Sequence, residues 1–275
     1  MSRASRPALI AAVALALGAA SCSGAAPSWV LTWSDEFNGS DGSSPDPTKW
    51  TVLQGGDGWG NGEREYYTPA AVQQKGGSLV ITADTAGASA QTCWYGPCTV
   101  TSARLENKGL FAQQYGRMEA RIQIPRGQGV WPAFWMLGAN EDTTPWPACG
   151  EIDIMENKGS EPQLVHGSMH GPGYSGGAAL TAPFGLADGA AFAADYHVYA
   201  VEWDASEVRF YVDDTLYERR APEDAPSGAP WVFDHPFFLL LNLAIGGNYG
   251  GDPDATTSFP LTMKVDYVRV YKNQK

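Results

Sequence analysis

The stretch Tyr115–Ile124 alternates strictly, with Arg117, Glu119, Arg121 and Gln123 set against Met118, Ala120, Ile122 and Ile124. That period of two is the signature of a strand with one face on a core and the other toward solvent. Alternating or continuous apolar runs recur at Ser78–Asp84, Val130–Leu137, Glu151–Glu156, Leu164–Met169, His197–Asp204, Val208–Val212, Phe237–Leu243 and Met263–Tyr271, and no long segment keeps a helical period. Asp213-Asp214, between two such runs, reads as a hairpin turn, with Thr215 leaving its exact type unassigned. The 32 Gly and 19 Pro cluster between the runs, which fits many short strands and tight loops. The pattern predicts an all-β chain: two antiparallel sheets packed on their apolar faces, with a curved outer face forming a long groove. Tyr174–Asp195, rich in Gly and Ala, reads as a long loop, and no repeat or linker divides residues 27–275, so a single domain is expected.

Composition narrows the partner. A net charge of −12 would repel nucleic-acid phosphates. Ten Trp, twelve Tyr and ten Phe, with only 17% charged residues, suit an uncharged polar ligand such as a sugar, although most aromatics are expected to fill the core. Arg3 and Arg6 followed by an apolar run from Ala8 to Ala20 read as an export signal over residues 1–26, too short to span a membrane in the mature protein. Cys22 has two readings, a lipid-anchored cysteine or a residue discarded with the signal. Cys93 and Cys98 bracket a turn-forming loop and are expected to form a local disulfide, while Cys149 has no neighbouring base and reads as a small buried hydrophobe.

The chemistry concentrates in Gly150-Glu151-Ile152-Asp153-Ile154-Met155-Glu156-Asn157. On a regular strand Glu151 and Asp153 share a face, while Glu156 would point inward with the isoleucines, where an unpaired charge is expensive. A one-residue bulge near Met155 removes the conflict by turning Glu156 onto the face of the other two acids. Three carboxyls in a row repel and raise one another's pKa, a cost that points to function. A retaining glycosidase needs two carboxyls roughly 5–5.5 Å apart, one ionised to attack the anomeric carbon and one protonated to assist the leaving oxygen. Four regular steps put the Glu151 and Glu156 Cα atoms roughly 13 Å apart, so the side chains must lean together on a concave sheet. A solvated acidic strip or a metal site is the bland alternative.

At these residues the chain resembles glycoside hydrolase family 16, in particular its laminarinase-like endo-β-1,3-glucanases. The likeness runs from Trp29 onward and is most specific in Trp131-Pro132-Ala133-Phe134-Trp135-Met136-Leu137 and in Trp146-Pro147-Ala148-Cys149-Gly150 leading into the acidic strand. Asp35-Glu36-Phe37, Gly58-Trp59-Gly60-Asn61-Gly62-Glu63, His166-Gly167-Ser168-Met169-His170 and Val265-Asp266-Tyr267 support it. The resemblance implies a β-jelly-roll sandwich with an open concave cleft, Glu151 as nucleophile, Asp153 as assisting carboxylate and Glu156 as acid then base. The inserted Met155 favours the laminarinase branch over the lichenase-like one.

It further implies that Trp131 and Trp135, four apart on one strand and on one face if Pro132 leaves it regular, stack on glucose rings. His170 would lie near the acids, with His166 the less favoured histidine, and Asn61, Arg104 and Asn242 would bind sugar hydroxyls. No cofactor is expected for catalysis. A structural Ca²⁺ held by Glu36, a carbonyl near Gly77 and Asp266 is expected from the resemblance alone. The expected protein is a secreted, monomeric, retaining endo-β-1,3-glucanase acting on β-1,3-glucan. The rivals are a non-catalytic glucan-binding protein on the same sandwich and, among enzymes, a mixed-linkage glucanase or a transglycosylase.

Overall fold

The computed structural model describes residues 28–274. The expected export segment, residues 1–26 with Cys22, lies outside them. Two antiparallel sheets dominate. The seven-stranded sheet runs, from edge to edge, Leu180–Gly185, Leu164–His170, Glu151–Glu156, Val130–Gly138, Phe237–Ile245, Arg104–Glu106 and Thr51–Val52. The eight-stranded sheet runs Thr215–Arg220, Val208–Val212, His197–Trp203, Gly116–Gln123, Leu261–Asn273, Leu79–Ala83 and Val72–Gln74, with Trp29–Asp35 also paired to Leu261–Asn273. The strands expected from patterning are present, with ends shifted by one or two residues. No described helix is long and apolar enough to cross a membrane.

The sheets face each other across one core. Met118, Ala120 and Ile122 meet Phe134, Met136, Ile152 and Leu241 there, all buried. Alternation therefore holds on the inner faces, but Tyr115–Ile124 is less simple on its outer face than expected. Arg117 and Glu119 are buried too, because Arg117 Nε reaches Glu119 Oε2 at 2.8 Å, Arg117 Nη1 reaches Glu202 Oε1 at 3.2 Å, and the Tyr271 hydroxyl donates to Glu119 at 3.2 Å. A paired charge network covers that face in place of bulk solvent.

Asp213 and Asp214 have φ of 47° and 64°, the two left-handed residues of a type I′ hairpin turn. Asp213 tolerates that backbone because its carboxylate accepts from the Val198 amide at 2.8 Å and meets His197 Nδ1 at 2.6 Å. The expected long loop Tyr174–Asp195 is a correction. It contains the edge strand Leu180–Gly185, whose Leu180, Ala182 and Phe184 turn inward in strict alternation. Pro183 disguised it, since proline is tolerated in a sheet only where no ladder bond needs its missing N–H.

The bulge is where the acidic pattern required it. Glu156 pairs with Ala133, Met155 with Phe134 and Asp153 with Trp135, so Ile154 is the extra residue. Ile154 and Met155 both enter the core, and Glu156 returns to the face of Glu151 and Asp153. A regular strand would turn Met155 outward, where truncation costs little. With Met155 fully buried, Met155→Ala is expected to cost about 2–5 kcal/mol in urea unfolding; a change within about 0.5 kcal/mol would show that its side chain lies outside the core.

Candidate active site

The outer face of the seven-stranded sheet carries the acidic row at its centre. Glu151 is half-buried, Glu156 is buried, and Asp153 between them is only 2% exposed. Each glutamate has an indole donor. Trp146 Nε1 donates to Glu151 Oε2 at 2.5 Å, and Trp131 Nε1 donates to Glu156 Oε1 at 2.9 Å. His170 lies directly across from Glu151. Its Nδ1 accepts from the Gly176 amide at 3.0 Å, which leaves the proton of the neutral ring on Nε2, 2.9 Å from Asp153 Oδ2. That contact is close but off-axis, so Asp153 Oδ2 has no well-directed hydrogen bond.

Crowding and burial raise all three acids. Burial, then Asp153, pushes Glu151 up to about 8; burial, then Glu151, pushes Glu156 up to about 7; burial, then Glu156, lifts Asp153 well above the usual carboxylate range. Taken singly, the two glutamates would place the first negative charge on Glu156. The three carboxyls interact closely enough to share their protons as one unit, and each glutamate has an indole N–H that favours its ionised form.

Trp131 and Trp135 do share the outer face. The register with Phe237–Ile245 runs unbroken through Pro132, which pairs with Leu243. Neither ring is free-standing. Trp131 leans on Tyr249, with centroids 5.2 Å apart, and Trp135 lies beside Leu137, Cys149, Phe238 and Leu240. Cys149 is thus the buried hydrophobe expected, and Cys93–Cys98 is the expected disulfide. A hydrogen-bonded chain joins the remaining sugar-binding candidates. Trp135 Nε1 donates to Asn242 Oδ1 (2.8 Å), Asn242 Nδ2 to the Tyr67 hydroxyl (3.2 Å), Tyr67 to Glu63 Oε2 (2.7 Å), and Asn61 Nδ2 to Glu63 Oε1 (3.0 Å). The Arg104 guanidinium sits between Trp59 and Trp135, 5.0 and 4.8 Å from their centroids, and its buried Nε meets no acceptor among the described residues.

Sequence reasoning passed over Trp146 as a site residue, although it stands in the quoted Trp146-Pro147 motif and is 48% exposed. It also passed over Tyr249, whose hydroxyl meets His166 Nδ1 at 3.0 Å, with Lys158 over its ring at 4.8 Å. His166 is therefore tied to Tyr249 on the Glu156 side, away from Asp153. The site is an open groove, whereas a recess of ≈ 550 Å³ lined by Trp29, Tyr115 and Trp203 belongs to the region around the other sheet.

The residues expected to hold calcium come near one another. Asp35 pairs with Val268 and Leu79 with Val265, so the register brings Glu36, Gly77 and Asp266 together beside the middle of Leu261–Asn273, where Trp29–Asp35 ends and Leu79–Ala83 begins. Both Glu36 oxygens are taken by Arg269, at 2.9 and 2.7 Å, and Asp266 Oδ2 by Arg121 at 2.8 Å. The Glu36 carboxylate therefore does not fit as a free ligand. Asp266 Oδ1 and main-chain carbonyls remain as hard donors.

Comparison with known proteins bears on this geometry directly. The sequence profile of glycosyl hydrolases family 16 matches residues 63–269. A β-glucanase of Rhodothermus marinus is 41% identical over 90% of this chain and 86% of its own. The solved structure of the catalytic domain of an endo-1,3-β-glucanase (laminarinase) from Thermotoga petrophila superposes with a TM-score of 0.85 at 45% identity, covering 91% of this chain and all of that one. A glucan endo-1,3-β-glucosidase of Niallia circulans is 37% identical over 89% of this chain, which spans 38% of that longer protein. With its jelly-roll sandwich and its acidic row facing an open groove, the chain belongs to glycosyl hydrolases family 16.

Proposed function

We infer that this hydrolase is an endo-β-1,3-glucanase that cleaves with retention, Glu151 attacking and Glu156 moving the proton. The observation that carries the reading is the row itself: two glutamates turned to one face by a bulge, each held by an indole N–H, with a buried aspartate between them. A glucan chain lies along the groove against Trp131 and Trp135, with Asn61 and the Arg104 guanidinium turned to its hydroxyls, while the buried Asn242 holds the Trp135 ring by its N–H. Glu156 gives its proton to the glycosidic oxygen as a Glu151 oxygen bonds to the anomeric carbon, and the leaving sugar departs with a new hydroxyl. Glu156, now a carboxylate, takes a proton from water as that water displaces Glu151, and the configuration is retained. An acceptor sugar in place of water gives transglycosylation by the same steps. Asp153 and His170 keep the charge and protons distributed between the two glutamates.

The rival reading, a non-catalytic glucan binder, keeps the aromatic floor but has no use for three mutually repelling acids. Residues 1–26 are proposed as an export signal, giving a secreted monomer or, with Cys22 lipidated, a cell-surface protein; the mass of the mature protein separates the two. For calcium the proposal reduces to Asp266 and the Gly77 carbonyl, an ion that would tie strand ends together and supply nothing to the acids.

Laminarin is expected to yield mixed oligosaccharides whose newly formed ends are β-anomers by NMR at early times, and an inverted product would exclude the double displacement. Glu151→Gln is expected to fold and to lose at least about a thousandfold in kcat. The raised carboxyl pKa values also predict a stability trend. Protons bind the folded row more tightly than the unfolded chain, so its contribution is full below the ordinary value of 4.5 and is lost as pH rises through about 7 to 8. Glu151→Gln should accordingly melt a few degrees above wild type at pH 8, with the gap closing near pH 5; a variant less stable at both would contradict the repulsion. For calcium, EDTA should lower Tm with kcat unchanged and added Ca²⁺ should restore it, whereas an unmoved Tm removes the ion.

A further inference from the structure

The loop closed by Cys93 and Cys98 takes no part in the acidic row, yet its anchors lie on the segment that carries Asn61 and Glu63. The Trp94 amide donates to the Gly56 carbonyl at 2.8 Å, Trp94 Nε1 to the Glu63 carbonyl at 2.8 Å, and the Tyr95 hydroxyl to the Arg64 carbonyl at 2.6 Å. The Tyr95 ring stands edge-on to Trp94 with centroids 5.3 Å apart. Two glycines permit this approach: a Cβ at Gly56 would lie 2.7 Å from Cys93 Sγ, and one at Gly58 would lie 3.1 Å from the Trp94 ring. Despite these anchors Trp94 remains 55% exposed.

A single exposed tryptophan is ordinary on a protein surface. Trp94 differs in how it is held. Its one polar atom is already satisfied by Glu63, its backbone is locked by the disulfide loop and by Gly56, and what it leaves outside is aromatic ring. Stacking on a sugar needs a flat apolar surface whose ordering cost has been met in advance. The platform also lies beside the groove: a Cβ at Gly58 would lie 3.1 Å from the Trp94 ring and 3.5 Å from Gly62 Cα, and one at Gly247 would lie 3.2 Å from the Asn61 carbonyl and 3.3 Å from the Trp131 ring.

Resting on the glucanase reading, we propose that Trp94 is an outlying sugar-stacking platform that holds a glucosyl unit of a long β-1,3-glucan chain beyond the Asn61 end of the groove. It distinguishes polymer from short oligomer without touching the bond that breaks. The sequence already marked the Cys93–Cys98 loop, but the function left it without a role.

The test compares wild type, Trp94→Ala and Trp94→Phe on soluble laminarin and on a β-1,3-linked trisaccharide too short to reach the loop. Trp94→Ala is expected to raise KM for laminarin roughly three- to tenfold with kcat unchanged, to leave kcat/KM on the trisaccharide within about twofold, and to be partly rescued by Trp94→Phe. An unchanged laminarin KM overturns the platform while leaving the glucanase reading intact. Equal losses on both substrates also overturn it, since they assign Trp94 a structural role through Glu63. A wild-type protein that hydrolyses neither substrate overturns both readings.

Discussion

A strand that must feed two consecutive apolar side chains into one core can do so only by breaking its own alternation, and the active site rests on that break. Ile154 and Met155 are both fully inside, each gaining about 1.5–3 kcal/mol from burial. The register slips by one between Asp153 and Glu156 to allow it. Glu156 is thereby spared burial as an unpaired charge and reaches the groove. The core stabilises the bulge, and the bulge imposes on the groove a carboxyl row that electrostatics alone would oppose.

That opposition is met by tryptophans with two uses. The N–H of Trp146 and of Trp131 each falls on a row glutamate, and that of Trp135 falls on Asn242. A ring fixed by its N–H presents its remaining surface in a set orientation, so the contacts that steady the acids also orient surfaces toward a sugar. Arg104, held between Trp59 and Trp135, adds a cation without placing it next to the acids.

Much of this was legible in the chain. Glu151–Glu156 carried both its strand boundaries and the demand for a bulge, because a charge at the inward position has no inexpensive alternative. Trp131 and Trp135 were legible as a pair once alternation was assumed, and Pro132 proved compatible with it. Trp146 and Tyr249 were not legible as site residues, since each reaches the row from outside the acidic strand and periodicity says nothing about where a loop returns. Leu180–Gly185 was hidden by Pro183 and by its Gly- and Ala-rich neighbours. The outer face of Gly116–Gln123 was misjudged for a different reason: alternation separates apolar from polar positions, but it does not tell whether the polar side meets water or another strand's charges. The Glu36–Arg269 pair illustrates the same limit, since a carboxylate offered to a cation and one offered to an arginine look alike in sequence.

The edge strand with the interior proline has a consequence for how these molecules meet one another. Leu180–Gly185 lacks one backbone donor at Pro183, Thr51–Val52 is two residues long, Val72–Gln74 is three, and Thr215–Arg220 ends in Glu218, Arg219 and Arg220. At these four edges a neighbouring chain seeking to add its own strand would find no long, flat, uncharged ladder on which to template, and the stretch left for such pairing is the far side of Trp29–Asp35, which is joined to Leu261–Asn273 and exposes Val30 and Leu31.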